Sequence, residues 1–96
     1  MTRKEALQIL SLAKPELANR FGVVNLALFG SLARDEAHPG SDVDVMVSFD
    51  GPSNSQRYFG VQFYLEDALG CPVDLVTEKA LRPELRPFIE QEAVNV

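Results

Sequence analysis

Apolar positions open the chain at helical spacing: Ala6, Leu7, Leu10, Ala13 and Leu17 recur every three or four residues, and Thr2 and Glu5 stand ahead of them in the spacing of a capping box. This predicts a first helix that Pro15 kinks, or restarts as a second short helix, and that ends near Phe21 and Gly22. Val23 to Phe29, β-branched and apolar with a glycine on each side, predicts a buried strand. Ser31 to Arg34 has room for no more than one helical turn, and His38-Pro39-Gly40-Ser41 is a turn cluster. From about Asp42 to Phe49 the pattern alternates. Val43, Val45, Val47 and Phe49 share one face of a second strand, and Asp42, Asp44, Met46 and Ser48 share the other.

Gly51 to Ser55 reads as a loop, and residues 56 to 69 as a helix closed by Gly70. At about 100° per residue, Tyr58, Val61, Tyr64, Leu65, Ala68 and Leu69 form its apolar stripe. Phe59 and Phe63 fall outside that stripe. Val73 to Thr77 is a third short strand, and Leu81, Leu85, Phe88 and Ile89 mark a last amphipathic helix starting near Pro83. The expected class is α+β: a small mixed sheet of three strands, a fourth left open, flanked by helices in the order α-β-α-β-α-β-α. The 96 residues are expected to form a single domain, 1–96.

Composition narrows the chemistry. A lone cysteine, Cys71, excludes an internal disulfide and reads as a small packing residue, and no C-x-x-C or Cys/His zinc spacing is present. A cytoplasmic location is expected, with neither a leader peptide nor a membrane span. The net charge of -5 is unevenly placed: residues 1–21 carry +2, residues 22–77 carry -6 and the remainder -1. A middle segment of that sign repels a phosphate backbone, so direct binding to nucleic acid by this chain alone is not expected.

The acids carry the candidate chemistry. Alternate residues on a strand lie about 6.6 Å apart, so the carboxylates of Asp42 and Asp44 can converge. At about 6 Å and an effective dielectric near 20 they repel by about 3 kcal/mol, and a counter-charge is expected. Asp74 places a third acid in an apolar strand. Three carboxylates suit Mg²⁺ or Mn²⁺, and a pair of such ions can hold the attacking and leaving oxygens of a phosphoryl displacement. Acids at a solvated sheet face are the alternative. One strand earlier, Gly30-Ser31 offers backbone N–H groups and a hydroxyl where a strand turns into a short helix, the makings of a phosphate cradle. Arg34 can pair with a phosphate or with Asp35 or Glu36. His38 reads as a loop residue, and Met46, on the acid-bearing face, as a neighbour of whatever ligand the acids hold or a packing residue. Phe59 and Phe63 can contact a partner or a second copy of the chain, leaving a homo-oligomer open, or can pack against Ala93 to Val96.

Gly30-Ser31, followed eleven residues on by Asp42-Val43-Asp44 and then by Asp74 in an apolar strand, resembles the nucleotidyltransferase superfamily named after DNA polymerase beta. More closely the chain resembles the minimal nucleotidyltransferases, antitoxins whose partner toxin is an all-helical HEPN-domain protein. The likeness runs from Leu-Ala-Leu-Phe-Gly-Ser-Leu-Ala-Arg through Ser-Asp-Val-Asp-Val-Met-Val and Val-Asp-Leu-Val to Leu-Arg-Pro-Glu-Leu. It implies that Asp42 and Asp44 hold two Mg²⁺ ions, and that Asp74 completes the metal site and helps deprotonate the attacking hydroxyl. It also implies that Gly30 and Ser31 bind the triphosphate. The implied reaction is transfer of AMP from ATP to a tyrosine hydroxyl of the toxin, silencing its ribonuclease. Neutralisation by occlusion alone, or transfer to a small hydroxylated molecule, are the alternatives. Where this subgroup often has glycine after the arginine, the chain has Asp35, a residue that tolerates a left-handed backbone but adds an anion near the phosphates.

Overall fold

The structure, a computed structural model, describes residues 1–38 and 40–96. Helix α1 (Arg3–Phe21) starts on the expected capping box, Thr2 Oγ1 accepting from the Glu5 N–H at 3.1 Å and Glu5 Oε1 from the Thr2 N–H at 3.2 Å. It ends at Gly22 with φ 73°, whose N–H bonds back to the Ala18 carbonyl. Pro15 does not divide it into two helices. The buried stripe Ala6, Leu10, Ala13 and Leu17 runs past the proline, which lies on the exposed face. Ser11, whose carbonyl it leaves without a donor, is an exposed residue too, and packing of the stripe outweighs the lost bond.

Strand β1 (Val23–Phe29) leads into the one-turn helix α2 (Gly30–Ala33), and β2 (Val43–Phe49) follows. Pro39, within the expected turn cluster, lies outside the described residues. Around it, Ser41 donates its N–H to the His38 carbonyl at 3.0 Å and its Oγ accepts from the His38 N–H at 3.1 Å, as a turn requires. Helix α3 (Ser55–Leu69) is capped by Asn54, whose Oδ1 accepts from the Arg57 N–H at 2.8 Å, and closes at Gly70. It buries Val61, Leu65 and Leu69 but leaves Ala68 exposed at the edge of the expected stripe. Gly60 has no room for a side chain, since a Cβ there would lie 2.3 Å from Phe21 Cε1, and this lets α3 close onto the end of α1.

Strand β3 (Val73–Thr77) completes a β-α-β crossover and pairs parallel with β2. The C-terminal reading needs correction. Instead of one amphipathic helix from Pro83 there is a 3₁₀ turn (Glu78–Ala80), then α4 (Arg86–Glu92), with no buried residue on α4 and Leu85 and Phe88 exposed. Pro87 supplies no N–H and is tolerated only in a first turn, so a helix begun at Pro83 would break there. A two-residue strand β4 (Val94–Asn95) then pairs antiparallel with β1. The sheet order is β3-β2-β1-β4, with β1 antiparallel to β2, which makes the open fourth strand real. Helices α1 and α3 pack on each other and over β1 and β3. Leu10, Leu17, Leu26, Leu28, Val45, Val47, Val61 and Leu65 form the driest part of the core. Among the described residues no helix is long and apolar enough to cross a membrane.

Candidate active site

The alternation of β2 emerges as expected: Val43, Val45 and Val47 are buried, while Asp44, Met46 and Ser48 are partly open on the other face. Parallel register sets Asp44 directly beside Asp74, and antiparallel register sets Asp44 beside Phe29, the last residue before Gly30. Asp42 is exposed just ahead of β2. The sheet thus brings Asp44 and Asp74 together, with Asp42 at the mouth and Gly30-Ser31 across from them. Gly30 has φ 75°, and a Cβ there would lie 2.1 Å from Asp44 Oδ2. Only glycine lets the turn and the central carboxylate pack this closely.

Asp44 is raised to a pKa of about 6, first by burial, then by the charge of Asp74 and a hydrogen bond with it, then by Asp42 and Glu92. Among the described residues no lysine or arginine forms an ion pair with Asp42, Asp44 or Asp74. The expected counter-charge therefore does not come from a protein cation. Nor are three His, Cys, Asp or Glu side chains among the described residues already gathered as a metal shell. The donors nonetheless suit a hard divalent cation: all are carboxylate oxygens, and the mutual repulsion loaded onto Asp44 is what such an ion would relieve.

Burial, and after it this repulsion, set a pH dependence. Asp44 ionises in the unfolded chain near its ordinary 3.8 but in the folded protein only near 6, so between these values the unfolded state releases its proton first. The contribution of Asp44 to stability is highest below about pH 4 and is lost as pH rises through 6. In chelator, thermal melts from pH 4 to 6.5 should show wild type losing stability relative to Asp44→Asn. Parallel curves would refute the placement of a strained carboxyl here.

Arg34 does not face the acids. Its Nε donates to Glu36 Oε2 at 3.2 Å and its Nη1 to Glu92 Oε2 at 2.6 Å, and these two carboxylates, Glu92 first, raise its pKa. Asp35 adopts φ 58°, the left-handed conformation that explains a glycine preference at this position and that aspartate tolerates. Glu92 was not foreseen. It lies 62 residues from Gly30, whose N–H it accepts at 3.0 Å through Oε1, and nothing in the local pattern of α4 announces that contact.

Two cavities flank the acids. One of about 360 Å³ is lined by Leu32, His38, Ser41, Asp42, Cys71 and Pro72 among others, and the other, of about 230 Å³, by Asn25, Met46, Ser48, Glu78, Glu90 and Asn95 among others. Glu78 accepts from Ser48 Oγ at 2.5 Å and faces Arg86 of α4, so α4 borders the acid-bearing face. Away from it, Phe59 and Phe63 project from α3, 48% and 65% exposed, their rings stacked with centroids 6.2 Å apart. They do not bury themselves against the terminal segment, whose Val94 and Asn95 are committed to β1.

Residues 10–96 match the family described as Nucleotidyltransferase domain. A protein adenylyltransferase of Thermococcus cleftensis is 38% identical over 96 residues, covering 100% of this chain and 97% of its own. A solved structure named as a minimal-nucleotidyltransferase candidate superposes with a TM-score of 0.83 at 35% identity, covering 100% of this chain and 97% of that one. The MNT antitoxin structure with a tri-AMPylated Shewanella oneidensis HEPN toxin shares the fold, with a TM-score of 0.65 at 20% identity over 99% of this chain and 71% of that one. The acids facing a glycine-serine turn across a β3-β2-β1-β4 sheet, with these relatives beside them, place the chain in the nucleotidyltransferase domain family.

Proposed function

We propose that this chain is an antitoxin that transfers AMP from ATP to a tyrosine hydroxyl of a partner HEPN ribonuclease toxin, residues 1–96 acting as a single domain. The observation that carries this reading is the juxtaposition of Asp44 and Asp74 in register, Asp42 beside them and Gly30-Ser31 opposite, without a protein counter-ion among the described residues. Asp42, Asp44 and Asp74 are the residues that would hold Mg²⁺ or Mn²⁺, which when bound supplies charge neutralisation for the triphosphate. Gly30 and Ser31 offer N–H and hydroxyl donors to the phosphates, and Arg34 lies one turn on to pair with them. The acceptor oxygen attacks the α-phosphorus, the bond to the β-phosphate breaks, and pyrophosphate leaves. In this reading Asp74 takes the hydroxyl proton, which its exposure on the edge strand supports. Little covalent help is needed, because such transfers rest on positioning and electrostatics.

The acidic middle of the chain favours a protein acceptor over nucleic acid, and the reading sets the reaction in the cytoplasm. The exposed Phe59–Phe63 pair is the surface assigned to the toxin, or to a second copy of the chain. A second reading, neutralisation by occlusion, is favoured by one observation: Arg34 is engaged by Glu36 and Glu92 rather than open to phosphate.

Intact-mass spectrometry of the helical partner after incubation with the chain, ATP and Mg²⁺ decides between them. AMP-sized increments are expected, and Phe59→Ser/Phe63→Ser should abolish them by loss of the complex while the fold is retained. No increments with wild type, together with full neutralisation by Asp42→Ala/Asp44→Ala, would establish occlusion instead.

A further inference from the structure

The carboxylate of Glu92 occupies the two groups that the phosphate-turn reading assigns to nucleotide. Oε1 accepts from the Gly30 N–H at 3.0 Å and Oε2 from Arg34 Nη1 at 2.6 Å, a bidentate grip by a planar anion where two phosphoryl oxygens would sit. A single N–H cannot serve both anions, and their like charges exclude joint occupancy. The grip is readily released: α4 buries none of its residues, and Glu92 itself is 24% exposed, so its side chain can turn outward without opening the core. Its departure also removes a negative charge from beside Asp44.

We propose that Glu92 is a built-in competitor of the nucleotide triphosphate, holding the Gly30 turn and Arg34 closed until a polyphosphate displaces it. The inference rests on the proposed reading of Gly30-Ser31 as a phosphate turn. It makes the antitoxin's affinity for nucleotide a difference between two anions, so that α4 sets a threshold of nucleotide concentration below which the turn stays occupied. A contact made about nine-tenths of the time lowers apparent affinity about tenfold.

Calorimetric titration with inorganic tripolyphosphate and Mg²⁺ tests this on the wild type, on Glu92→Gln, which removes the charge, and on Glu92→Asp, which shortens the reach. Both variants should bind about tenfold more tightly. Equal affinity in all three overturns the inference and leaves the turn reading intact, as does weaker binding by the variants, which would make Glu92 a helper of the anion. No binding by any of the three overturns the turn reading and the inference with it. In unaltered protein, the carbon-13 resonance of the Glu92 carboxyl should move to that of a solvated glutamate on saturation with tripolyphosphate. A resonance that stays in place overturns the displacement without recourse to a variant.

Discussion

Asp44→Asn is expected to lower AMP transfer by about three orders of magnitude, a loss of about 4 kcal/mol of transition-state stabilisation, while leaving the metal-free protein more stable than wild type. Opposite signs follow from one geometry. Asp44 is the half-buried member of a group of like charges, next to Asp74 and facing Asp42 and Glu92, so its charge opposes folding. The same residue is central to the proposed site, in register with Asp74 and under the Gly30 turn. An amide keeps the shape and removes both effects. Single-turnover mass spectrometry and thermal melts in chelator measure them separately. A variant that lost activity and stability together would show Asp44 to be structural, and one that kept its activity would remove it from the reaction.

Gly30→Ala is the second large effect. The backbone there has φ 75°, and the added methyl would meet Asp44 Oδ2 at 2.1 Å, so strain and overlap add. About 2–4 kcal/mol of stability should be lost, readable as a lower urea midpoint at unchanged slope, and transfer should fall at least about 100-fold because the turn and the carboxylate can no longer share their spacing. The cause is separable by a double variant. Truncating the carboxylate in Gly30→Ala/Asp44→Ala relieves the two severest overlaps, leaving only the Asp44 Cβ at 3.0 Å, and should recover part of the stability but none of the activity. Strictly additive losses would mean that the two residues do not touch. Gly70→Ala is the control, since it shares the left-handed φ of 71° but has nothing within 4 Å.

Much of this was legible in residue order. Period-two alternation located β2 and put Asp44 and Ser48 on its open face, and the apolar runs of β1 and β3 matched their observed limits because a buried strand leaves little freedom in where it starts and stops. The capping box and the closing glycines bounded α1 and α3. What escaped depends on the third dimension. Of the two outcomes expected for Pro15, a kink or a restart, the restart does not occur, and the exposed setting of the proline that allows one continuous helix comes from packing not visible along the chain. The exposed Leu85 and Phe88 imitate the spacing of a buried stripe without a surface to receive it. The hold of Glu92 on Gly30 depends on how β4 returns the chain to β1, and a two-residue strand leaves almost no trace in hydropathy.

The register of β2 against β3 guards the fold as well as the chemistry. Were β3 to slide by one residue during folding, Leu75 would turn out to water and the Asp74 carboxylate would be driven into the dry layer occupied by Val45 and Leu65. Burying an unpaired carboxylate costs several kcal/mol, far more than the loss of one leucine contact, so the mispaired sheet is rejected. Asp74 therefore disfavours misalignment, and Asp74→Ala should fold to a less singular sheet, with slow exchange between alignments as its signature in relaxation-dispersion NMR.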